Sequence, residues 1–168
     1  MTRSDFGLKW TAYGVALALM LVLNYYVLSF FPFISVPLLI PVMVVAVGVL
    51  EGARPGAGFG MAAGVLLSAA THGSVLWVCG LSLVGWVCGL LAQYVLRRDF
   101  VGFFLAALAV GGLRAAALLV LGLLRGTAEL SVLASVALPE YLWTLIFAAP
   151  VYLLCRFCCR HFGRMYHE

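Results

Sequence analysis

The sequence predicts an all-helical integral membrane protein of six transmembrane helices with both termini in the cytoplasm. Three observations carry that prediction. The chain has 168 residues, of which 65% are apolar and 10% charged, with a mean hydropathy of +1.16. Soluble domains run at about 45–50% apolar and about 25% charged, and a fold of this size leaves roughly a third of its chain surface exposed. A soluble enzyme, a disordered tail and a nucleic-acid-binding module are all excluded. Second, of the ten basic and six acidic residues all but Arg114 mark the ends of long apolar runs or the turns between them, as expected where charge is costly in hydrocarbon. Third, the basic residues fall mainly on alternate connections. With the N-terminus inside, Arg3, Lys9, Arg54, Arg97, Arg98, Arg156, Arg160 and Arg164 lie on the cytoplasmic side and Arg125 outside, which obeys the positive-inside rule. One mis-placed span would scatter these charges over both faces.

The runs follow in order. After the basic start, the first extends from about Trp10 to Phe31, interrupted by Asn24 and closed by Pro32. At about 22 residues it exceeds the roughly 7–15 of a signal-peptide core, and no small-x-small cleavage site follows, so it stays as a helix. The second, 34–50, carries Pro37 and Pro41 and ends at Glu51-Gly-Ala-Arg-Pro55. The third, 56–70, is rich in small residues, and His72-Gly-Ser74 turns the chain into the fourth, 75–96. Arg97-Arg98-Asp99 separates that run from the fifth, 100–124, which stops at Arg125. The last, 139–155, begins with Pro139 at the favourable first helical position and stops at Arg156. Between the fifth and sixth, Leu130, Leu133, Ala134, Ala137 and Leu138 share one side of a short segment opposite Ser131 and Ser135. That pattern predicts an interfacial helix on the outer leaflet. The whole chain is one membrane domain, with 156–168 as a basic cytoplasmic tail. Arg156, Arg160 and Arg164, one per helical turn, anchor that tail to anionic lipid headgroups.

Two features stand out as sites. Gly52, Gly56, Gly60 and Gly64 recur every fourth residue and continue in Ser68. On a helix this stripe drifts only about 40° per step, making a groove that admits another helix to backbone contact, either from the same chain or from a partner. Shorter small-residue pairs are Ala12/Ala16, Gly85/Gly89 and Gly122/Gly126. The second feature is Arg114, the one charge inside a run, where insertion costs about 2.5–3.5 kcal/mol on translocon scales. It must face protein or water, paired with Glu140 from the outer side or Glu51 from the inner, as a structural ion pair or as a polar site for a ligand.

Catalysis finds no support. The chain lacks HExxH, P-loop and dinucleotide-binding motifs and the G-x-S-x-G elbow, and His72 beside Ser74 has no orienting third group. Cys155, Cys158 and Cys159 with His161 have no second Cys/His cluster to complete four zinc ligands. They and Cys79 and Cys88 read as small apolar residues, kept reduced in the cytoplasm. No metal or cofactor is expected.

Val36-Pro-Leu-Leu-Ile-Pro41, Glu51-Gly52 leading into Gly56-Ala-Gly-Phe-Gly60-Met-Ala-Ala-Gly64, and Leu138-Pro-Glu-Tyr-Leu-Trp-Thr-Leu-Ile-Phe-Ala-Ala-Pro150-Val-Tyr together resemble the bacterial rod shape-determining MreD family, in its clostridial-type form. The resemblance runs nearly end to end. Where many members carry an Asp after the glycine helix, this chain has Ser68. It implies a non-enzymatic subunit of the elongation machinery in the bacterial cell membrane. Such a subunit works with a single-span partner of the MreC type and, through it, with the actin-like filament and peptidoglycan-synthesising enzymes. Membrane lipids and a possible second copy of the chain complete the implied partners, and nucleic acid is not among them. The family is similar in fold to the S components of energy-coupling-factor vitamin transporters, which supplies the alternative function. For that, Ala12 and Ala16 match a docking motif, and Arg114, Glu140, Trp143 and Asn24 are the polar groups of the outer half.

Overall fold

A computed structural model describes residues 3–27, 39–71, 75–94, 99–124 and 130–162. Among them are six α-helices and no strand: α1 (Arg3–Val22), α2 (Leu39–Glu51), α3 (Ala53–Thr71), α4 (Leu76–Tyr94), α5 (Phe100–Leu124) and α6 (Leu130–Phe162). Leu76–Tyr94, Phe100–Val120 and Leu138–Arg160 are long and apolar enough to cross a membrane, whereas Gly7–Val22 and Leu39–Glu51 form shorter apolar helices.

The helix ends follow local chemistry. α1 continues into a π-helical turn, Leu23–Val27, at the Asn24 that interrupts the first apolar run. Asn24 itself is buried. Gly52 alone separates α2 from α3, with φ of 103°, a left-handed conformation that costs residues with a Cβ about 1–2 kcal/mol. Its N–H donates to the Gly48 carbonyl and its own carbonyl accepts from Gly56 N–H, so the reversal loses little backbone hydrogen bonding. Pro55 falls in the first turn of α3, where a missing N–H is tolerated.

α2 is the centre. It has no polar residue before Glu51, and every residue except Pro41 is buried, as expected of a helix apolar on all sides. It packs against α1, α3, α4, α5 and α6. α5 and α6 form an antiparallel pair in which the Phe103 ring stacks on Tyr152 at 4.9 Å and Phe100 meets the same tyrosine edge-on at 5.3 Å.

The last helix departs from expectation. Rather than a separate interfacial segment followed by a span from Pro139, residues 130–162 form one helix with Pro139 and Pro150 inside it. Pro139 is therefore not at a helix start. The segment from Leu130 to Leu138 is its first turns, and the side chains that suggested an outer-leaflet face there lie, apart from Ser135 and Leu138, outside the described residues. The second run also begins later as a helix, at Leu39, and residues 28–38 with Pro32 and Pro37 fall outside the described residues.

Candidate functional site

The buried and half-buried charges resolve into two pairs at opposite ends of the bundle. α1 turns Lys9, Tyr13, Ala16, Leu17 and Met20 inward as one stripe, which Asn24 of the π-helical turn continues. At its start Lys9 Nζ meets Glu51 Oε1 at 2.5 Å, with both side chains fully buried. The Tyr13 hydroxyl donates to the same oxygen at 2.9 Å, and the Tyr13 ring lies edge-on to Phe59. This corrects two expectations. Glu51 is the buried last residue of α2 rather than part of a surface turn, and its cationic partner is Lys9, not Arg114. Lys9 is likewise no interfacial flank. A buried carboxylate requires a counter-charge and hydrogen bonds, and α1 supplies both from positions one helical turn apart. Beside Gly52 a hollow of about 220 Å³ opens between the start of α3 and the end of α4, lined by Arg54, Pro55, Trp86, Gln93 and Tyr94.

Arg114 pairs with Glu140, one of its two expected partners. Nη2 approaches Oε1 at 3.4 Å, with the side chains 31% and 21% exposed. A well-formed charge-assisted bond lies at about 2.7–2.9 Å, so this is one loose contact from a five-donor group. The guanidinium carbon sits 5.2 Å from the centre of the Trp77 ring, a favourable cation–π distance. The Arg114 Nε is buried and has no hydrogen-bond partner among the described residues. The site is held from α6: the Thr144 hydroxyl donates to the Glu140 carbonyl at 2.6 Å, and the Tyr141 hydroxyl donates to the Leu108 carbonyl at 3.1 Å. The Tyr141 ring packs against Gly111, where a Cβ would lie 2.8 Å from it. A cleft of about 40 Å³ adjoins the pair between α2, α5 and α6, walled by Val42, Val45, Ala107, Gly111, Ala115 and Leu118. That is space on the scale of a few water molecules.

The glycine stripe faces α4. A methyl on Gly60 would overlap the Leu81 carbonyl, one on Gly64 would overlap Val78, and one on Gly56 would lie 2.6 Å from the Gly85 carbonyl. Gly48 of α2 meets the same Gly85 carbonyl, and Gly89 meets Gly52 and Ala53. The groove is thus filled by the chain's own helix, and α2, α3 and α4 reach backbone contact around Gly48, Gly56 and Gly85. Ser82 adds a hydrogen bond from its hydroxyl to the Ala57 carbonyl at 3.1 Å. Ser68, farther along the stripe, is half-buried.

Arg156 and Arg160 project from the last turns of α6 as exposed residues, Arg156 with its guanidinium carbon 5.9 Å from the Tyr152 ring centre. Arg164, His72, His167 and Arg125 lie outside the described residues. Cys155, Cys159 and Cys88 are buried core residues, Cys158 is half-buried and Cys79 exposed. Among the described residues, no group of three or more His, Cys, Asp or Glu is placed to hold a metal ion.

Sequence reasoning missed Lys9, Tyr13 and Trp77. A signal for Lys9 existed: it is four residues before Tyr13 and eight before Leu17, on the stripe that i, i+4, i+8 spacing turns inward. Trp77 had none, because its role depends on α4 and α5 meeting at one end. No family model, curated protein or solved structure matches this chain.

Proposed function

We propose that the protein is a non-enzymatic subunit of the bacterial cell-shape machinery, crossing the cytoplasmic membrane six times with both termini inside and binding a single-span partner of the MreC type. The observation that carries this most directly is where the resembling segments lie in the fold. Glu51-Gly52 and the glycine helix build the contact among α2, α3 and α4, and Pro139 to Tyr152 packs on α5. These are scaffold positions, and scaffolding by helix packing is what such a subunit does. The orientation draws on charge: Lys9, Arg54, Arg156 and Arg160 lie at the ends of α1, α3 and α6 that share one side of the bundle, the side that the positive-inside rule assigns to the cytoplasm.

Since α4 occupies the glycine groove, partner docking belongs on an outward face. α1 presents Thr11, Gly14, Val15, Ala18 and Leu19 outward, and Gly14 has open space around it. The test is co-purification with the single-span partner. Gly14→Leu should lower recovery of the complex and disturb rod shape while leaving the thermal stability of the isolated chain unchanged. Full recovery and normal rods in this variant, together with full recovery after an equivalent substitution at exposed Leu153 of α6, would reject it.

A solute-binding subunit of a vitamin transporter is the second reading, favoured by the half-exposed Arg114 beside its cleft. The cleft is small against the several hundred Å³ of ordinary ligand sites, and Ala16 of the alanine pair is buried in the core. Thermal stabilisation by a vitamin, lost in Arg114→Ala, would establish this alternative.

A further inference from the structure

The half-exposed charge pair sits at a particular depth. Phe100 lies level with Tyr152, above whose ring Arg156 is placed, so these residues mark one end of the α5/α6 pair. Arg114 is fourteen residues along α5 from Phe100, about 21 Å at helical rise. Glu140 is sixteen residues from Arg156 along α6, about 24 Å. Across a hydrocarbon core of about 30 Å, both side chains fall within about 6–9 Å of the opposite headgroup layer, the reach of an extended arginine. There the pair is incompletely satisfied, because Glu140 meets Arg114 through one 3.4 Å contact and the Arg114 Nε has no acceptor among the described residues.

The adjoining cleft has apolar walls made by small and branched side chains, and it encloses too little volume for a whole solute. A partner helix, about 10 Å across, is too wide to enter. A ligand that fits brings an anionic acceptor to Arg114 and keeps most of its apolar body in the bilayer.

We propose that this cleft is a lipid site, in which Arg114 holds the phosphate of a membrane amphiphile and the slot between α2, α5 and α6 takes the start of its chain. The phosphate oxygens accept from the guanidinium N–H groups that the 31% exposed side chain presents, charge-assisted bonds of the kind arginine favours, adding to the single loose contact that Glu140 makes. The Trp77 ring, its centre 5.2 Å from the guanidinium carbon, stacks by the cation–π contact and leaves the in-plane N–H groups free of the aromatic ring. The site is independent of the shape-machinery proposal.

The test uses the full chain in detergent micelles, exchanged with dioleoylphosphatidylglycerol or with a phosphate-free dioleoyl glycolipid, and native mass spectrometry of retained lipid. The wild-type chain should retain a single phosphatidylglycerol with a preference of about tenfold or more over the glycolipid, the scale of a lost charge-assisted contact. Arg114→Gln should abolish that preference. Ala115→Leu, which fills the slot without touching the ion pair, should lower retention of phosphatidylglycerol and so guards against a folding defect in the first variant. Arg156→Gln combined with Arg160→Gln, at the opposite end, should change nothing. Equal retention of the two lipids by the wild-type chain overturns the proposal, as does an unchanged preference in Arg114→Gln or an unchanged retention in Ala115→Leu. Stabilisation of the delipidated chain by millimolar inorganic phosphate, equal to that by phosphatidylglycerol, would also overturn it by showing that the slot contributes nothing.

Discussion

Lys9 ties the start of α1 to Glu51 at the end of α2, at the reversal into α3, with no part of either side chain exposed. Removing one partner leaves an uncompensated charge, which costs about 3–5 kcal/mol, whereas replacing both by apolar residues of similar size is often close to neutral. Lys9→Met and Glu51→Leu should therefore each lower thermal stability sharply in detergent. The double variant should recover most of the loss. Tyr13→Phe removes one hydrogen bond to the charged Glu51 Oε1, and its cost should be smaller, about 1.5–3 kcal/mol. Additive losses in the double variant would mean that the pair is not coupled.

Gly56, Gly60 and Gly85 differ from Gly7, Gly14 and Gly80 in what a methyl group would meet. At the first three it meets backbone of a facing helix, and at the others nothing within 4 Å. Alanine at Gly60 or Gly85 should destabilise by about 1–3 kcal/mol through overpacking, because a backbone carbonyl has no rotamer into which to retreat. Alanine at Gly14 or Gly80 should be neutral or stabilising by up to about 1 kcal/mol from helix propensity. Thermal unfolding of the four single variants separates the groups, and a loss at Gly80 equal to that at Gly60 would contradict the packing of α3 on α4.

Gly52 is needed for its conformation rather than for space. Its φ is 103°, and the nearest atom to an added Cβ is the Gln93 amide nitrogen at 3.5 Å, an ordinary contact. Gly52→Ala should cost about 1–2 kcal/mol, and Gly52→Asn less, since asparagine tolerates positive φ better. Truncating Gln93 to Ala should not rescue Gly52→Ala; rescue would show that the cost is steric.

The all-helical class and most helix positions were legible because charge and apolar length coincide. α5 spans 100–124 in both the sequence and the structure, bounded by Asp99 and Arg125 with one internal charge. The failures occur where a residue's partner is remote. Lys9 beside the first apolar run and Glu51 before a glycine both looked like interfacial punctuation, and only the fold of α1 against α2 makes them a buried pair. For Arg114, depth within the longest uninterrupted run was itself the signal. The glycine spacing identified a packing groove, but its occupant, α4, is set by the length of the α3–α4 hairpin. Pro139 misled because proline commonly opens a helix, and a helix already begun at Leu130 continues through it.

Val75 and Tyr94 bracket α4 and are both exposed, at 72% and 83%. The intervening nineteen steps at helical rise separate them by about 28 Å, close to the thickness of a bilayer core, so one helix carries a test of both crossing and orientation. In a background with Cys79→Ala and Cys158→Ala, Val75→Cys should react with a membrane-impermeant maleimide in intact cells. Tyr94→Cys should react only after permeabilisation. Labelling of both positions from outside would deny that α4 crosses, and the reversed pattern would place Lys9, Arg54 and the α6 arginines outside, against the charge rule that orients the chain.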